Sequence, residues 1–139
     1  MEESHTVDEL LIRIDEKVRD LLYNILKQII TKTYTESMLV VLLSRLREQG
    51  KIESPQELIE YLAENPLDFY KQILEQFKEQ ESANAFIKTL FDGISRTIGI
   101  TPLGKEIVEA LQKGDQQRFQ EKLLEIIYAI RTKALKTMY

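Results

Sequence analysis

Cysteine is absent from the 139 residues. That excludes disulfides, thiol catalysis and thiolate metal sites. The one histidine, His5, cannot supply a histidine metal cage or pair with a serine as a relay, and it reads as an idle residue of the terminus. A di-metal carboxylate bundle needs two Glu-x-x-His motifs on facing helices, which one histidine cannot provide. Five glycines and three prolines are too few for the turns of an all-β fold. No long hydrophobic run occurs. The longest, Met38 to Leu43, falls far short of the ~20 residues that cross a bilayer. The acidic start, Met1-Glu2-Glu3-Ser4-His5, lacks the basic and apolar regions of a secretory leader. The expectation is a cytoplasmic protein without membrane, metal or cofactor. No catalytic or cofactor-binding residue can be named, since no G-x-S-x-G elbow and no convergent polar set is visible.

What is present is a helical grammar. Hydrophobic residues are 43% and charged residues 30%, as in an ordinary globular domain. Thr6-Val7-Asp8-Glu9 has capping-box spacing, and Ser54-Pro55-Gln56-Glu57 repeats it with proline at the first helical position. Asn65-Pro66 and Thr101-Pro102 start helices in the same way. Gly50, Gly99 and Gly114 each follow an apolar-periodic segment and read as stops. Together they predict helices over Val7–Thr31, Glu36–Gln49, Pro55–Glu64, Pro66–Glu79, Ala83–Ile98, Pro102–Lys113 and Gln116 to near the end. The expected architecture is one all-α domain over 1–139. It is a compact bundle of six or seven helices, long at its N- and C-terminal members, with residues 1–5 disordered.

The first predicted helix carries a heptad seam: Val7, Leu11, Ile14, Val18, Leu21 and Ile25. Its roughly 25 residues would span about 37 Å, the breadth of a compact domain of this length. It either crosses the core or pairs with a second copy. The second helix, apolar on all sides through Met38–Leu43, is expected at the centre. Inward faces are expected at Leu67, Tyr70, Ile73 or Leu74, and Phe77; then at Phe86, Ile87, Leu90, Phe91, Ile94 and Ile98; and finally at Phe119, Leu123, Ile126 or Ile127, Ile130 and Ala134. Gly93, inside a helix, suggests the close approach of another backbone.

Two motifs look chemical and fail. Gly99-x4-Gly104-Lys105 matches a phosphate loop for seven positions. Glu106 then stands where a hydroxyl should hold magnesium, and the preceding segment is a helix rather than a strand. A helix-turn-helix over Gly50–Glu79 would open its reading helix with Leu67, Asp68 and Phe69, whereas base edges call for arginine, lysine, asparagine or glutamine. Glu53, Glu57, Glu60 and Glu64 follow helical spacing and read as a solvated face.

The net charge of -4 is unevenly spread. Residues 1–20 carry seven acids and three bases, residues 27–51 five bases and two acids, and residues 52–81 eight acids and two bases. A basic face is therefore conceivable from Lys27, Lys32, Arg45, Arg47, Lys51, Arg131, Lys133 and Lys136, with Tyr34, Tyr128 and Tyr139 nearby for base stacking. Basic residues ending the last helix also complement its dipole, and packing can mix the segments into an ordinary surface.

The leading expectation is a non-catalytic helical protein–protein interaction module, a subunit or self-associating component of a larger assembly, with a protein partner or a second copy as its ligand. The alternative is an accessory nucleic-acid-associated subunit using the basic face, by fold-level analogy with small helical subunits of ribonucleoprotein or CRISPR-type effector complexes. No small-molecule substrate is indicated.

Overall fold

The computed structural model describes the backbone of residues 2–137 and the side chains of residues 8–133. Over this range the chain forms eight α-helices and no strand. They are α1 (Glu2–Arg13), α2 (Glu16–Thr33), α3 (Glu36–Glu48), α4 (Leu58–Glu64), α5 (Pro66–Phe77), α6 (Gln80–Ile98), α7 (Gly104–Gln112) and α8 (Gln116–Thr137). A 3-10 turn, Pro55–Glu57, leads into α4. The expected all-α bundle is what the sequence forms.

Each stopping glycine adopts positive φ, led by Gly99 at 78°. α5 stops two residues early because Lys78 itself turns left-handed, at φ 68°. The Ser54 device is present: the Glu57 carboxylate accepts from the Ser54 amide and hydroxyl, both at 3.2 Å. All six inward positions expected on α6 are buried, as are Phe119, Leu123, Ile126, Ile127 and Ile130 of α8. Ala134 lies outside the described side chains.

Four expectations need correction. The long N-terminal helix is two helices. Asp15 is extended (φ -79°, ψ 173°), and its carboxylate accepts the Val18 amide at 2.9 Å, capping α2. Arg131 of α8 holds the break by donating to the Arg13 carbonyl at 3.0 Å and to Asp15 at 3.2 Å. α1 also starts at Glu2, ahead of the Thr6 cap and within the stretch expected to be disordered. Second, α3 is peripheral. Leu39, Leu42 and Leu46 face the core, while Val40 and Val41 are exposed. Third, α6 starts at Gln80, three residues before the expected Ala83: Glu79 is extended and its carbonyl accepts the Ala83 amide at 3.0 Å. Fourth, Thr101-Pro102 does not start α7, whose first residue is Gly104.

The packing is continuous. α2 lies against α3, α4, α6 and α8, and α6 lies against α2, α5, α7 and α8. Tyr34, Phe77 and Phe86 join α2, α5 and α6 as an aromatic cluster with centroids 5.1–6.4 Å apart. Each such pair contributes about 0.5–1.5 kcal/mol beyond its buried area. Buried polar groups are mostly partnered: Gln120 of α8 donates to the Ala63 carbonyl at 2.8 Å. Gln72 donates to Gln49 at 2.9 Å and accepts from Arg45 at 3.1 Å.

Candidate functional site

The sequence candidates disperse when folded. Of the heptad seam, Ile14 and Val18 are buried in this chain's own core and are closed to a second copy. Leu11 and Leu21 are exposed on different helices, and Ile25 is half-buried. Val7 lies outside the described side chains. The break at Asp15 ends the seam as one continuous stripe.

The basic candidates divide similarly. Arg45 is bound by Glu75 at 2.7 Å, Lys51 by Asp68, and Arg131 by Asp15. The acid-rich segment 52–81 thus supplies the carboxylates that neutralise Arg45 and Lys51 of the basic segment before it. Lys27 and Arg47 are exposed. Lys27 points roughly 200° round α2 from Ile25, two residues away at 3.6 per turn. Lys136 lies outside the described side chains. Tyr34 belongs to the aromatic cluster. Tyr128 bonds Glu9 and carries the Arg13 guanidinium 4.7 Å from its ring centre, so neither ring is a free stacking platform. Tyr139 lies outside the described residues. Among the helical glutamates, Glu57 is spent on the Ser54 turn and Glu60 pairs with Arg19 at 3.4 Å.

The phosphate-loop string has a structural explanation. The Gly104 amide donates to Asp92 at 2.8 Å and the Leu103 amide to the Ser95 hydroxyl at 3.2 Å. Two orphan amides at the start of α7 are therefore filled by side chains of α6. An anion finds both of these amides taken, and Glu106 is committed to Lys122 at 3.3 Å.

Lys32 and Lys133 line two adjoining hollows of one feature, a groove between α2, α6 and α8. Its larger hollow, about 510 Å³, is lined by Ile25, Gln28, Ile29, Lys32, Thr33, Thr89, Gly93, Arg96 and Thr97. A smaller one, about 350 Å³, is lined by Lys17, Leu21, Ile25, Thr97, Ile98, Ile130 and Lys133. Ile25 and Thr97 line both, so the two hollows form one trough. α2 contributes Leu21, Ile25 and Ile29, four residues apart on one face. α6 contributes Thr89, Gly93 and Thr97 at the same interval. Gly93 does permit a close approach, though of a side chain rather than a backbone: a Cβ there would lie 3.0 Å from Ile29 Cδ1. Thr97 donates its hydroxyl to the Gly93 carbonyl at 2.9 Å, satisfying it within α6.

Every titratable group lining this trough is a cation: Lys17, Lys32, Arg96 and Lys133. None of them forms an ion pair among the described residues; Lys133 donates instead to the Thr97 carbonyl at 3.2 Å. Lys17 and Arg96 were not legible as site residues, because the trough assembles from three helices distant in sequence. The trough residues that the sequence did single out are Leu21 and Ile25 of the heptad seam and Lys32 and Lys133 of the basic candidates.

Among the described residues, no three His, Asp or Glu side chains gather as a metal site, and no helix is long and apolar enough to cross a membrane. Compared with protein-family models, with curated proteins and with solved structures, the chain matches none of them.

Proposed function

We propose that this chain is a non-catalytic helical interaction module, a subunit that joins a larger assembly through the α2–α6–α8 face. The observation that carries the reading is the apolar row Leu21, Ile25 and Ile29, left partly open along a trough whose cations have no carboxylate partner among the described residues. Leu21 keeps 39% of its surface in water, beside the face of α2 that buries Val18, Leu22, Leu26 and Ile30. An apolar row rimmed by charge is the usual character of a protein-binding patch. The nucleic-acid alternative loses support where Arg45, Lys51 and Arg131 are bound to carboxylates. A cysteine-free composition fits work in the cytoplasm, where disulfides are rarely formed.

The test is a photo-crosslinking amino acid at position 21 in cells that make the protein, with exposed position 113 as control. A discrete protein adduct at 21 that is absent at 113 is expected. Adducts to RNA or DNA at 21, or identical products at both positions, would overturn the reading.

A further inference from the structure

We propose that the trough between α2, α6 and α8 seats an acidic amphipathic helix of a partner protein. This rests on the interaction-module reading above and adds the chemistry of the partner.

Length is the first argument. Along α2 the trough runs from Lys17 to Lys32, about 22 Å or four helical turns. A small anion would use a fraction of that, and a fatty acid would bring one negative charge to a trough lined by four cations. A helix laid lengthwise uses all of it, in the established helix-in-groove mode.

Shape is the second. Leu21, Ile25 and Ile29 form an aliphatic wall with a four-residue repeat, and the wall opposite is low because α6 offers Thr89, Gly93 and Thr97. A helix bearing leucine-like side chains at every third or fourth position can drop them into this repeat. No aromatic ring lines the trough among the described residues, so stacked bases find no platform.

Charge is the third. The chain as a whole has more acids than bases, yet the trough is lined by four cations and no acid among its described residues. Arg45, Lys51 and Arg131 find carboxylates within the chain, whereas Lys27 and Arg47, like the trough cations, form no ion pair among the described residues but line neither hollow. In the trough the carboxylates are left for the partner to bring. Charges of this kind set the approach and the choice of partner more than the final affinity, and they are screened by salt.

The experiment uses the full chain, isotopically labelled for NMR. The main probe is a blocked helical peptide of roughly 15 residues, about four turns. It carries leucine at every third or fourth position and glutamate on both flanks. The comparison probes are the same peptide with lysine for glutamate, dodecanoate, and oligothymidylate. Expected is saturable binding of the glutamate peptide alone, moving the amides of Ile25, Gly93 and Thr97 and weakening at high salt. Lys17→Glu with Arg96→Glu should reduce affinity at least about tenfold, with the melting temperature unchanged because both side chains are exposed.

Equal binding of the lysine peptide, perturbation by dodecanoate or oligothymidylate alone, or silence toward the glutamate peptide would overturn the inference. So would self-association through the same amides that the glutamate peptide does not displace, which would name a second copy as the occupant. Crosslinking to a protein at position 21 stands apart from these results. If it persists while the peptide fails, the interaction module survives and the acidic helix does not.

Discussion

The carboxylate of Asp92 stands where any side chain on residue 104 would have to go. Its Oδ1 accepts the Gly104 amide at 2.8 Å, and a Cβ on residue 104 would lie 2.5 Å from that oxygen and 2.5 Å from the Lys88 carbonyl oxygen. The glycine is required by the nearness of α6, since its φ is not positive. Gly104→Ala should therefore destabilise the fold by about 1–3 kcal/mol, the usual cost of overpacking, although alanine is the better helix former. Urea unfolding measures it. Asp92→Ala should cost about 1 kcal/mol as a lost cap. The double variant should cost less than the sum, because the two share one clash. Strict additivity would show that Asp92 is not what excludes the side chain.

α3 supplies a paired test of orientation. Leu42 is 3% exposed and its neighbour Val41 is 48% exposed. Leu42→Asp buries a carboxylate without a partner and should lose at least about 3 kcal/mol or unfold the domain. Val41→Asp should stay within about 0.5 kcal/mol of the parent, as a surface change. Thermal melts of the two compare them directly. Similar losses would mean that α3 is central after all.

The fate of α3 shows how far a sequence can speak. Six consecutive apolar residues contain no polar position to say which face is wet, so only neighbouring helices decide that Val40 and Val41 stay outside. The break at Asp15 was hidden differently. Val7 to Ile25 keeps heptad spacing straight through it, while the local sign was short: an aspartate able to cap, followed by Glu16 in the first turn. α6 was legible at its stop and along its inward face, though its start, Gln80, lies three residues ahead of the expected Ala83. α6 ends at Gly99 and carries a clean 3.6 period, so its six inward residues follow from their spacing alone. The trough does not, because Lys17, Arg96 and Lys133 are far apart in the chain and only folding makes them neighbours.

A carboxylate links the connection after α3 to α4 and α5. Asp68 accepts from both the Lys51 ammonium and the Tyr61 hydroxyl. The Lys51 bond first, and then the Tyr61 bond, hold the Asp68 carboxyl below the ordinary aspartate value of 3.8. Burial first, and then the bond to Asp68, push the Tyr61 phenol far up, so it stays neutral through the working range. A lowered folded value means that the ionised form favours the fold. The contribution is complete above the ordinary value and is lost as pH falls through the folded one. Asp68→Asn should destabilise the protein near neutrality and flatten its stability profile below about pH 4. Urea midpoints across acid pH give the comparison; parallel acid limbs in parent and variant would remove Asp68 as a contributor.

Gly93 separates stability from binding. Alanine there gains up to about 1 kcal/mol of helix propensity. Its Cβ would meet Ile29 at 3.0–3.3 Å through Cδ1, Cγ2 and Cγ1, so the whole side chain must tilt. Ile29 is only partly buried and faces the trough, so it has room to yield. Gain and strain should offset to within about 1 kcal/mol, leaving the melt nearly unchanged. The larger hollow of the trough, however, would be narrowed by the added methyl and by the displaced isoleucine. The glutamate peptide should then bind several-fold more weakly to Gly93→Ala, whereas Gly50→Ala, at the end of α3 and outside the trough, should leave the affinity intact. Undiminished binding to Gly93→Ala with an unchanged melt would place the peptide elsewhere on the surface.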